Sequence, residues 1–117
     1  MLNQRHEIAK SIANELLPAE QDVDQAIVRN ARLTIAVVEG CKAARLPLAT
    51  GQEGLSLVAT ASACLVEARG LLANAHVAFR KTQSEVGLDC FNYGDVAECP
   101  PAKAEAPVRA VRPLRVA

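Results

Sequence analysis

The stretch VATASACLVEARGLLANAHVAF, Val58 to Phe79, decides the fold of this chain. Val58, Ala61, Leu65, Ala68, Leu72, Ala75 and Phe79 follow an unbroken 3-4-3-4 spacing, and Thr82 and Val86 continue it. That is a heptad seam with large residues at one core position and mostly alanine at the other. Small residues along a seam let a second helix approach closely.

The ends of this helix are also marked. Thr50-Gly-Gln-Glu53 reads as a capping box: the threonine oxygen accepts from the Glu53 amide, and the glutamate reaches back to the Thr50 amide. Gly87 suits the left-handed residue that closes a helix. The helix so bounded runs to about Val86 and is about 50 Å long.

Before it, Val23, Ile27, Asn30, Thr34, Val37, Cys41, Ala44 and Leu48 form a looser seam. Only Leu46 to Ala49 separate that helix from Thr50, and so short a connection predicts an antiparallel hairpin. Earlier still, Ile8, Ile12 and Leu16 recur every four residues with Ala9 and Ala13 beside them, after a capping Asn3. Pro18 is expected to end this short N-terminal helix, because the residue before a proline is biased out of the α region. It also suits the first turn of the next helix. Glu20, Asp22 and Asp24 then crowd that helix's N-terminus, where the dipole favours negative charge. Lys42 and Arg45 complement its other end, and Leu46-Pro47 closes it.

The two stripes flanking the Val58–Val86 seam differ. Leu57, Cys64, Leu71, Ala78 and Glu85 are mostly apolar, whereas Ser62, Arg69, His76 and Gln83 are all polar. His76 therefore stands on a polar border stripe, one turn from Arg80 and two from Arg69. A neighbouring cation disfavours a charged imidazole, which leaves a general-base role open. No cysteine or second histidine is near it in sequence, and Glu67 is on another face, so the reading is a structural border histidine. His6 has even less around it.

The outer face is the anomaly. A monomeric hairpin should be charged opposite its seam. Here that face offers Ala59, Ala63, Val66, Gly70, Ala73 and Val77, and from Leu55 to Phe79 the only charges are Glu67 and Arg69. These six residues are the expected oligomer interface, since three helices from one chain cannot cover every side.

Totals agree. A chain of 117 residues holds one domain, and its only aromatics are Phe79, Phe91 and Tyr93. A core without large rings gives up much buried area, so the domain must pack closely or associate. Thirteen basic and thirteen acidic residues cancel, but residues 1–99 carry a net −3 and residues 100–117 a net +3. The body thus lacks the broad basic field that nucleic acid favours. No charged segment followed by an apolar run opens the chain, so no signal peptide is expected. The longest charge-free apolar run, Leu55 to Val66, is twelve residues, too short for a membrane span. A soluble, cytoplasmic protein with no membrane contact is the expectation.

Cys41, Cys64, Cys90 and Cys99 match no metal or redox spacing. Cys41 and Cys64 fall on apolar faces as small hydrophobes. Cys90 and Cys99 bracket a loop that closes as a disulfide only in an oxidising compartment. LDCFNYGDVAEC, residues 88–99, is expected to fold onto the bundle end. The tail, residues 100–117, is rich in Pro, Ala and Arg and reads as irregular. Within it Val108, Val111 and Leu114 recur every three residues, as do Arg109, Arg112 and Arg115. The polyproline II period of three sets the two groups on separate edges, as a partner-binding strip would need.

The run LVEARGLLANAHVAFRKTQSEVGL, Leu65 to Leu88, resembles small helical proteins of unassigned function from alphaproteobacteria. The E-A-R step, the A-H pair and the T-Q…G-L ending carry the resemblance. It implies an all-α bacterial protein and supplies no activity, ligand or catalytic residue.

Together these features predict an all-α fold: helical domain 1–87, end-packing loop 88–99 and tail 100–117. The short N-terminal helix and long hairpin are expected to associate into a larger bundle. The function expected is a non-enzymatic interaction or assembly subunit, homo-oligomeric, reaching a protein partner through its tail. One alternative is a small nucleic-acid-associated or regulatory protein using the basic tail. Another is a ligand or metal binder in the bundle core, disfavoured because no paired carboxylates, Glu-x-x-His pair or Gly-rich phosphate loop is present. No cofactor is expected.

Overall fold

The computed structural model describes residues 1–88 and Tyr93. Two long helices make up the fold: α1, Leu2–Ala43, and α2, Gln52–Glu85. There is no strand among the described residues. Contacts run in reversed order along the two helices, Asn30 to Ser62, Asp24 to Arg69 and Glu20 to His76, so the pair is an antiparallel hairpin.

The predicted short first helix and the helix after it are one element. Pro18 lies inside α1, which runs through it without interruption. A proline within a helix removes one backbone hydrogen bond and clashes with the carbonyl four residues back, here that of Asn14. Pro18 and Asn14 both face solvent, so water can take up that carbonyl. Ala13, Leu16, Leu17, Ala19 and Glu20, on either side, are half-buried. Packing of these residues offsets a local penalty that would end an isolated helix. Asn3 accordingly lies within the first turn, and the N-cap is Met1, with no side-chain cap.

Both helices close in the same way. The Leu46 amide donates to the Cys41 carbonyl and the Arg45 amide to that of Lys42, with Arg45 at φ +54°. At the other end Leu88 donates to Gln83 and Gly87 to Ser84, with Gly87 at φ +80°. Each is a Schellman closure, and Gly87 serves as the sequence indicates. α1 stops at Ala43, so Ala44 and Leu48 fall beyond the seam they were assigned to, and Leu48 is wholly exposed.

The capping box does not form. α2 starts from Gly51 at φ +77°, with no side-chain cap. The Thr50 amide donates instead to the Pro47 carbonyl, while the Thr50 carbonyl faces the Cys41 thiol at 3.8 Å. A Cβ at position 51 would meet Val37 Cγ1 at 3.5 Å, an ordinary contact, so it is the left-handed backbone that calls for glycine there.

The seams hold along the middle of the hairpin. Val58, Leu65, Ala68, Leu72 and Ala75 are half-buried, as are Val23, Ile27, Asn30, Thr34, Val37 and Cys41. Ala61 is exposed while its neighbour Ser62 is half-buried. Toward the free end the seam opens: Phe79 is 45% exposed and Val86 37%. In α1 it is Ala9 and Ala13 that are half-buried, while Ile8 and Ile12 remain 55% and 42% exposed.

Proline costs about 3 kcal/mol relative to alanine inside a helix. Pro18→Ala is therefore expected to raise the melting temperature followed by circular dichroism. A fall would point to a break that the fold needs at that position.

Candidate functional site

The chemistry-bearing side chains form a ladder along one edge of the hairpin. Asn30 Nδ2 donates to Ser62 Oγ at 2.8 Å and to the Val58 carbonyl at 3.2 Å. Asp24 Oδ1 accepts from Arg69 Nε at 2.5 Å, and Glu20 Oε1 lies 2.7 Å from His76 Nδ1. Three of the four polar border residues read from the sequence thus reach across to α1. The fourth, Gln83, donates through Nε2 to the Leu88 carbonyl at 2.8 Å.

Burial distinguishes the rungs. The Arg69 and Asp24 side chains are 63% and 55% exposed, those of His76 and Glu20 only 21% and 29%. The Arg69 guanidinium is held above its ordinary pKa by its hydrogen bond to Asp24 and then by the charge of that carboxylate. Both groups stand in water, so their attraction is heavily screened.

Glu20 and Asp24 are the partners that sequence reading missed. Assigned to a helix N-terminus after Pro18, they sit instead in the middle of α1. The available signal was their four-residue spacing, which in a continuous helix puts both on one face.

At the free end, Arg5 donates to the Val86 carbonyl at 3.0 Å, and His6 Nδ1 lies 2.8 Å from the Tyr93 hydroxyl. Leu88 is the only buried residue among those described, at 1% exposure. Between the parted helices lies a groove of about 260 Å³, lined by Ala9, Ile12, Leu16, Phe79, Val86 and Leu88 among others, with Arg5, His76 and Arg80 at its polar points. A second groove of about 410 Å³ follows the ladder past Glu20, Asp24, Arg69 and His76.

This arrangement orients an imidazole against a carboxylate, with Arg80 lining the same grooves as His76. The hydroxyl on the ladder, Ser62, is about 20 Å along the helix from His76 and is engaged by Asn30. Among the described residues no three His, Cys, Asp or Glu side chains converge as a metal site. Cys41 and Cys64 are free thiols.

The six residues of the outer stripe, Ala59, Ala63, Val66, Gly70, Ala73 and Val77, are all exposed, Val66 at 59% and Val77 at 69%. Cys90, Cys99 and the tail residues Val108, Arg109, Val111, Arg112, Leu114 and Arg115 lie outside the described residues. So do the rest of the 88–99 loop, apart from Leu88 and Tyr93, and its proposed disulfide.

The expectation of no membrane contact rested on a charge-free run of twelve residues. Over α2 as a whole an 18-residue window reaches a mean hydropathy of 1.5 with no more than two charges, so length and composition would allow this helix to cross a bilayer. No family model, no curated protein and no solved structure matches this chain.

Coupling should differ between the rungs. In a double-mutant cycle, Glu20→Gln with His76→Gln is expected to give about 1 kcal/mol of interaction in urea unfolding. The Asp24→Asn and Arg69→Gln cycle should give less, and that remainder should vanish in molar salt.

Proposed function

We propose that the chain is a non-enzymatic assembly subunit whose hairpins pack on one another. One observation carries this reading: along two long helices, no described residue except Leu88 is buried. Ile35, Val38, Leu57, Leu71 and Val77 are each at least half exposed. Exposed apolar surface on this scale marks an interaction site, and helices owe most of their stability to packing of their apolar faces. A second layer of helices would supply what one hairpin lacks.

The apolar character of α2 favours a bilayer as a second reading. Against it, α1 lies along α2 and carries charges from Arg5 to Lys42. Inserting α2 would either strip it from α1 or draw those charges into lipid, which is costly. The tail belongs to the same proposal as a docking strip for a protein partner with an acidic rim beside an apolar groove. Attraction of nucleic acid to its arginines is the competing use.

Light scattering of the full chain at micromolar concentration should give at least twice the 12.4 kDa chain mass. A monomer in buffer that co-sediments with lipid vesicles would replace assembly by membrane insertion. For the tail, changing Arg109, Arg112 and Arg115 to Gln, or Val108, Val111 and Leu114 to Ser, should each weaken capture of a protein partner. Attraction to nucleic acid would respond to the first change and to salt, and scarcely to the second.

A further inference from the structure

Resting on that reading, we infer which surface takes the second copy: the flank of the hairpin opposite the polar ladder, formed by α1 and α2 together. On α2 the residues one position before Val58, Leu65 and Leu72 are Leu57, Cys64 and Leu71; on α1 those before Ala13, Ile27 and Thr34 are Ile12, Ala26 and Leu33. In an antiparallel pair such positions fall on the same flank of both helices. At the register fixed by the ladder, Leu33 is level with Leu57 and Ala26 with Cys64, to within a helical turn. Ile12, Leu33, Leu57 and Leu71 are 42%, 46%, 65% and 63% exposed. From Ile12 to Leu33 and from Leu57 to Leu71 this strip itself carries no charge, with Glu15, Asp22, Arg29 and Glu67 on the next stripe outward, whereas the ladder flank carries Glu20, Asp24, Arg69 and His76.

Area separates this flank from the outer stripe of α2. Two helices about 10 Å apart give a face about 20 Å wide, and 21 positions of helix make it about 30 Å long. Pairing two such faces covers about 1,200 Å², the lower limit of a stable specific interface. The stripe from Ala59 to Val77 is one helix wide and covers about half as much, the scale of an incidental contact. It remains available for further copies once a dimer exists.

Charge fixes the orientation. Arg5 and Glu85 also lie one position before the seam, level with each other at the free end. A two-fold axis parallel to the helices sets α1 of one copy over α2 of the other, with Arg5 facing Glu85 of the second copy. The reversed arrangement, with loops at opposite ends, would set Arg5 over the region of Gly40, where no acid waits on that flank. The second copy therefore packs with both loops at the same end, as an all-antiparallel four-helix bundle.

Two variants of the full chain test this in sedimentation equilibrium. Leu33→Glu with Leu71→Glu should give the monomer mass, because each buries an unpaired charge in the contact. Ala63→Glu with Ala73→Glu should leave a dimer. The reverse result, or a dimer from both, overturns the assigned flank while self-association stands. A monomeric wild-type chain overturns the assembly reading itself. Should the leucine variant lose its helical circular dichroism, spin labels on Thr50→Cys in a chain whose native cysteines are serine decide the matter. Loops at the same end predict a label separation of about 20 Å, and loops at opposite ends about 50 Å, the length of α2; the longer distance overturns the proposal.

Discussion

Arg5 reaches the Val86 carbonyl because α1 continues through Pro18. Had the chain turned there, the first seventeen residues would lie elsewhere, and about the last third of α2 would lose its neighbour in α1. The continuity fixes the length of the hairpin and the groove at its open end. It also keeps residues 2–17 from covering the outer face of α2. From a single unbroken helix it follows that much apolar surface of the hairpin is left without a neighbour among the described residues.

The hairpin's composition suits that outcome. A seam alternating large residues with alanine buries little area per contact, and no aromatic side chain lies in its closed part, between Val58 and Ala75. Only at the open end does a ring enter the seam, and there Phe79 is nearly half exposed. Two helices can touch along one stripe each. A lone pair is therefore left with most of its apolar surface in water, whatever its sequence, and a third and fourth helix are the ordinary remedy.

How far the fold was legible depended on whether a signal was local or cooperative. Heptad spacing in α2 survived into half-burial of Val58, Leu65, Leu72 and Ala75, because periodicity reflects the packed face directly. Gly87 was legible for a similar reason, since a left-handed closure suits glycine over any other residue. Pro18 misled because its cost is local and its compensation is not: Ala13, Leu16 and Glu20 meet residues roughly sixty positions away. The candidate site was hidden for a different reason: Glu20 and His76 are 56 positions apart and meet only in the register of the folded hairpin. The box at Thr50 and Glu53 failed because the loop closes over Val37 and Cys41, which only the folded hairpin brings to Gly51.

Register is where the polar ladder matters most. An alanine-rich seam packs almost equally well after sliding by one heptad, so apolar contact alone specifies alignment weakly. The ladder does not tolerate the slide. Moved by seven residues in either direction, Ser62 would face Val23 or Val37 in place of Asn30. Arg69 would meet Leu17 or Ala31 in place of Asp24, and His76 would meet Ala13 or Ile27 in place of Glu20. Every rung would exchange a polar partner for an apolar one, and polar groups left unpaired on partial burial cost about 1 kcal/mol or more each. A surface ladder contributes little to stability in the correct register, yet it penalises each neighbouring register at its two part-buried rungs, Asn30–Ser62 and Glu20–His76. The same device would orient the proposed assembly: by placing its polar pairs on one flank, it leaves the strip of Ala26, Leu33, Leu57, Cys64 and Leu71 on the other as a side on which to associate.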